Sequence, residues 1–116
     1  MYVKIKRVYE EYDKADGYRM LVDRLWPRGI KKENAKLNEW NKDIAPSTEL
    51  RKKFHNGEEN FQEFVKSYKK ELLENNKEEL QRLKDLAKKK KLTLLYGSKD
   101  EEHNHAKVLV DMINSK

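Results

Sequence analysis

The chain has no cysteine, which excludes disulfides, thiolate catalysis and cysteine metal sites. No hydrophobic run approaches the roughly 18 residues of a membrane-spanning helix, and the N-terminus lacks the layout of a signal peptide. No membrane partner is expected, and a cytoplasmic location is. A Gly-rich phosphate loop, a nucleophile–His–acid constellation and a paired-carboxylate spacing are all missing. There is no internal repeat or flexible linker, so residues 1–116 read as a single domain, large enough for one core but not two.

Arginine is scarce. The chain carries 27 Lys and Arg against 21 Asp and Glu, a net charge of +6. Only six of the cations are arginine, and Arg19, Arg24 and Arg28 fall within ten positions. The planar guanidinium fork suits bidentate contact with a carboxylate or phosphate, whereas lysine is a hydrated point charge. The scattered lysines therefore point to solubility, and the arginine cluster points to a place. The positive balance makes an anionic partner plausible, whether phosphate, nucleotide or nucleic acid.

Charged residues are 41% of the chain and hydrophobic ones 36%, but the apolar residues are periodic, which argues against disorder. Residues 2–9 alternate Val3 and Ile5 against Lys4 and Lys6, as a half-buried strand does. Residues 10–17 form a polar loop ending in an Asp16-Gly17 turn signal. Residues 18–24 read as a second strand, ended by the Pro27 and Gly29 break. Residues 31–45 predict one or two helical turns, with Leu37, Trp40 and Ile44 inward. Ser47 or Thr48 can cap a helix through Phe54. Phe61, Phe64, Val65, Tyr68 and Leu72 form an amphipathic stripe. A further helix from about Lys77 buries Leu80, Leu83, Leu86 and Ala87 and runs into Lys88–Lys91, a cationic end favoured by the helix dipole.

"LTLLYG" (92–97) is a continuous apolar run, as expected of a strand covered on both faces. A helix is expected directly after it, with Ser98 and Glu101 as a capping box or Asp100 as the cap, and Ala106, Leu109, Val110 and Ile113 as its core face. Strand, helix and strand together predict an α/β fold: a small, mostly parallel sheet flanked by helices.

Ligands of open α/β sheets bind beyond the carboxyl ends of strands. One strand end delivers Asp23, Arg24 and Arg28. The other delivers Ser98, Lys99 and Asp100, then His103 and His105. The helix start at Ser98 offers backbone N–H groups to an anion. The ligand-binding candidates are thus Arg24, Arg28, Ser98, Lys99 and Asp100. The candidates for proton handling are His105, His103 and Asp23. Without a ligand, Arg24 or Arg28 is expected to pair with Asp23, Asp43 or Asp100. His103 and His105 lie about 200° apart on a helix and cannot chelate one ion together, so no metal site is read. By helical phase His103 falls near Ala106 and Val110, and His105 near Leu109 and Met112. Trp26 and Trp40 read as core.

The blocks "DGYRMLVDRLWPRGIKKENA", "WNKDIAPSTELRKKF" and "LLYGSKDEEHNHAKVL" resemble the YeaO-like family of small bacterial and archaeal proteins of unknown function, from Arg7 to about Met112. The resemblance implies a compact α/β domain and a cytoplasmic location. It implies no particular reaction and no cofactor. A looser similarity reaches longer members of the superfamily, with a "VDVR" strand end and a "CAE…CHR" stretch. Val22, Asp23 and the nearby arginines match the first. In the second, Tyr96 and Asn104 stand where cysteines would be and Ala106 where an arginine would be, and His105 alone persists. Thiol chemistry cannot carry over.

Two readings follow. In one, the chain binds or acts on a small anionic, phosphate- or nucleotide-like ligand at the strand edge. In the other, less favoured, it is an accessory module that contacts nucleic acid or protein through lysine-rich faces.

Overall fold

The computed structural model describes residues 3–115. Among them four strands and five helices follow in the order β1 (Val3–Arg7), β2 (Tyr18–Leu21), α1 (Lys32–Ala35), β3 (Glu39–Trp40), α2 (Thr48–His55), α3 (Phe61–Asn75), α4 (Lys77–Lys89), β4 (Leu92–Tyr96) and α5 (His105–Asn114). Tyr2, expected to open the first strand, lies outside the described residues. The sheet order is β1-β4-β2-β3, and every pair is parallel. The expected α/β class is the observed one.

β4 is an inner strand, and all five of its residues are buried. One face of the sheet, carrying Met20, Val22, Leu92, Leu94 and Tyr96, packs on the helices. The other, carrying Leu21 and Leu95, packs on Trp26, Ile30, Leu37 and Trp40. Two covered faces explain the unbroken apolar run. The helices bury the residues their periodicity selects: Phe64, Tyr68 and Leu72 on α3, Leu80, Leu83 and Ala87 on α4, and Ala106, Leu109 and Ile113 on α5. Each large side chain so removed from water contributes about 1.5–3 kcal/mol. The two tryptophans meet edge to face at 5.1 Å in the second cluster.

Three local expectations change. First, β2 ends at Leu21, so Asp23 and Arg24 stand past the strand rather than in it. Second, residues 36–41 are not helical: α1 stops at Ala35, and Glu39–Trp40 add a fourth strand to the edge of β2. The edge of β2 has amide and carbonyl groups to satisfy. The Asn38 amide donates to the Arg19 carbonyl at 2.8 Å, the Asn38 side-chain oxygen accepts from the Arg19 amide at 2.8 Å, and the Asn41 amide donates to the Leu21 carbonyl at 2.8 Å. Leu37, Trp40 and Ile44 still face inward, but from strand and turn.

Third, the last helix begins at His105, not at Ser98, and its cap is Asn104. The Asp100 side chain takes the amides of Glu102 and His103, each at 2.9 Å, which folds residues 98–103 into a polar loop instead of a first turn. Asn104 then does two jobs. Its Oδ1 accepts from the Lys107 amide at 3.0 Å, and its Nδ2 donates to the Asp100 carbonyl at 2.9 Å. Asn104→Ala removes the cap and unties the loop. A stability loss of about 1–2 kcal/mol is expected, measurable by urea denaturation. A loss below a few tenths would show that the loop is held by other contacts.

At the amino-terminal edge of the sheet lies a buried ionic cluster. Asp16 is fully buried and pairs with Arg19, which is 2% exposed. Lys4 at 2.9 Å and Lys6 at 3.1 Å complete the ring of cations. Arg19 also donates to the carbonyls of Lys36 and Ala35 at 3.1 and 3.0 Å. Burial pushes the Asp16 carboxyl up, but the hydrogen bonds from Lys4, Lys6, the Asp13 amide and Arg19 outweigh it and hold the group well below its ordinary value.

Candidate functional site

The register that pairs Leu21 with Leu95 sets Asp23 beside Gly97, two residues beyond the ladder. There the Asp23 Oδ2 accepts from the Gly97 amide at 2.9 Å. A Cβ at position 97 would sit 3.0 Å from that oxygen, so the glycine admits the carboxylate. His105, the first residue of α5, reaches back to the same place. Its Nε2 lies 2.9 Å from the Val22 carbonyl and 3.1 Å from Asp23 Oδ1. A carbonyl accepts only from an Nε2–H, so the ring is held as a donor there. Oδ1 is close enough for electrostatic attraction but has no hydrogen bond among the described residues. The imidazole also stands edge-on to Tyr68 at 6.2 Å. Asp23, Gly97, Val22 and His105 thus form one knot that ties the ends of β2 and β4 to the start of α5.

A cavity of about 330 Å³ opens beside this knot, lined by polar and apolar groups. Arg24, half-buried, enters it from the 23–25 turn. Its Nε and Nη2 donate to the carbonyls of Pro46 and Ala45 at 3.1 and 3.3 Å, and the remaining guanidinium hydrogens stay available. Asn41 and Tyr68 shape that acceptor turn: the Ile44 amide donates to Asn41 Oδ1 at 3.1 Å, and the Tyr68 hydroxyl donates to the Ile44 carbonyl at 2.6 Å. Burial pushes the Tyr68 hydroxyl well above the ordinary range, so it remains a donor.

The strand-end candidates are brought together only in part. Asp23, Arg24, Ser98, Lys99, His103 and His105 all line the cavity. Arg28 does not: it is exposed, and its carbonyl accepts from the Tyr9 hydroxyl at 2.9 Å. Asp100 is also exposed and is occupied in folding its own loop, where the His103 and Glu102 amides hold its carboxyl below the usual value. His103 precedes the helix, so its phase near Ala106 and Val110 does not apply. It is exposed, with Nδ1 3.1 Å from Asp100 Oδ2 and its ring edge-on to Phe61 at 5.0 Å. The Ser98 amide does not open a helix, so the helix start on which an anion site was expected there lies instead at His105. Arg24 bonds to carbonyls, and the buried arginine–acid pair is Arg19–Asp16 at the far end of the sheet.

The sequence reading missed Arg51, His55, Phe54 and Phe64, which line the same cavity from α2 and α3. Arg51 is half-buried, and its Nε is shielded from water with no hydrogen bond among the described residues. The only signal in the sequence was its identity, an arginine in a chain whose cations are mostly lysine. Among the described residues no group of three or more acidic or histidine side chains converges to hold a metal, and no helix is long and apolar enough to cross a membrane.

The molecule is thus an all-parallel α/β protein with a cation-lined cavity past its strand ends. A family model described as the inactive DUF488-N3 subclade matches residues 2–116. Over 115 residues the chain is 51% identical to "Uncharacterized protein YeaO" of Escherichia coli (strain K12), covering 99% of both chains. It is 39% identical over 114 residues to an uncharacterised protein of Mycobacterium bovis, covering 98% of this chain and 95% of the relative. The chain belongs to this YeaO-like DUF488 family. No solved structure matches it.

Proposed function

We propose that the protein binds a small anionic ligand in the cavity at the carboxyl edge of the sheet, and that it does so without catalysing a reaction. The observation that carries this reading is the convergence of Arg24, Arg51 and Lys99 on one 330 Å³ space against a single carboxylate, Asp23. Guanidinium groups that are half-buried and incompletely paired gain most from an incoming phosphate or carboxylate. Two features favour binding over chemistry. The Asp23–His105 knot spends its hydrogen bonds on Gly97 and Val22, and the family description calls the subclade inactive.

Arg51→Met is the cleanest test, because Arg24 also holds the 45–46 turn. Each lost charge-assisted hydrogen bond contributes about 1.5–3 kcal/mol, so phosphate affinity by calorimetry should fall roughly tenfold or more. Changing Lys88–Lys91 to Gln should leave it intact, since these residues immediately precede β4 and lie at the opposite edge of the sheet. The reverse pattern, with a steep salt dependence lost in the lysine variant, would assign the protein to the nucleic-acid or protein-binding class instead.

A further inference from the structure

We infer that the ligand of this cavity is a free nucleoside monophosphate: an anion joined to a flat ring and carrying a hydrogen-bond donor. This rests on the anion-binding reading above and adds to it what the rest of the cavity wall requires.

The wall has two chemically distinct parts. Arg24, Arg51 and Lys99 make one. Phe54, Phe64, Leu25 and Pro46 contribute to the other. A bare phosphate satisfies the first part and leaves the second in water. Phe54 is half-buried and stacks on Phe64 at 4.7 Å, the outer layer of a ladder that continues to Tyr68 at 5.7 Å. A planar ring laid on that ladder extends it by one member. Leu25 is 60% exposed at the cavity rim, and of the exposed large hydrophobics among the described residues it alone lines this space. Apolar groups at the mouth of a polar site mark where a ligand body displaces water.

Asp23 supplies the third requirement. Its side chain is 20% exposed and lines the cavity, and a carboxylate at the wall repels an anion that has nothing to donate. A sugar hydroxyl or ring N–H meets the accessible part of that carboxylate and turns the repulsion into a contact. The size of the cavity sets the upper bound. At about 330 Å³ it stands at the small end of ligand pockets, which run from about 300 to 1,000 Å³. That leaves room for one nucleotide unit.

Calorimetry on the full chain would compare inorganic phosphate, ribose 5-phosphate, adenosine and uridine 5′-monophosphates, the two nucleosides, and a 5′-phosphorylated dinucleotide. One of the monophosphates should bind roughly tenfold more tightly than ribose 5-phosphate, the order of one base–aromatic stack. Leu25→Ser, at an exposed position that does not threaten folding, and Phe54→Leu should each narrow that ratio and leave phosphate affinity unchanged. If ribose 5-phosphate equals the nucleotides, the ring inference is overturned and the anion site stands. If nothing binds at millimolar concentration, both fall. Nucleosides binding as tightly as their monophosphates would overturn the anion reading itself. A dinucleotide that binds more tightly than its mononucleotide would overturn the choice of a free nucleotide.

Discussion

Asp16→Asn is expected to destabilise the protein by about 3–5 kcal/mol, the cost of leaving one partner of a buried ion pair uncompensated. Arg19 is 2% exposed and cannot turn out to water. Its contacts with the carbonyls of Ala35 and Lys36 satisfy hydrogen bonds but not the charge. A thermal melt should shift downward by roughly 10–20 °C. The pH dependence follows from the same group. The folded Asp16 carboxyl lies below its ordinary value of 3.8, so between those two values the unfolded chain binds more protons. Its contribution is therefore complete above the ordinary value and is lost as pH falls toward the folded one. The parent should lose stability on that acid limb, and the variant should lose less. A variant that melts like the parent would mean that Lys4 and Lys6, not Asp16, set the energy of this cluster.

Gly17→Ala is expected to cost about 2–5 kcal/mol by urea denaturation. Gly17 has φ 68° and ψ −128°, a region that residues with a Cβ enter only with strain of about 1–3 kcal/mol. An added Cβ would also lie 2.7 Å from both the Cβ and the carbonyl oxygen of Lys91. That carbonyl accepts from the Tyr18 amide at 2.9 Å, the bond that aligns β2 with β4 at its start. Forcing the strands apart there adds a packing cost of about 1–3 kcal/mol. Gly29→Ala is the control: φ is 79°, but nothing lies within 4 Å of its added Cβ. Equal losses in the two variants would remove the close approach to Lys91 from the explanation.

The helices were legible because their stripes repeat over three or four turns, and a long stripe leaves few alternatives to burial. β3 was not. Two residues carry no period, and Glu39–Trp40 is a strand only because β2 exposes an edge and Asn38 bridges to it. The start of α5 was misread for a related reason. Ser98 and Glu101 have the spacing of a capping box, but the Ser98 hydroxyl accepts from the Asp100 amide instead, and the Asp100 side chain takes the amides of Glu102 and His103. Such contests between short polar side chains are settled by geometry of a few tenths of an ångström, which spacing does not encode.

Composition and periodicity by themselves determined the α/β class, the doubly covered β4, the absence of thiol chemistry, and a polar strand end at Asp23 and Arg24 that meets residues 97–105. Each of these depends on local pattern or on the right-handed logic of parallel sheets, and both are written along the chain. The tertiary structure alone decided which arginines share the cavity. Arg28 is four residues from Arg24 yet points elsewhere, because Pro27 is buried and the chain turns there. Arg51 is 27 residues away yet lines the same wall, because α2 packs on α3 and delivers it. Likewise only the fold placed Phe54 and Phe64 beneath that wall. Those meetings depend on the docking of whole elements, and the energy of docking is spread over the shared core rather than stored in any motif.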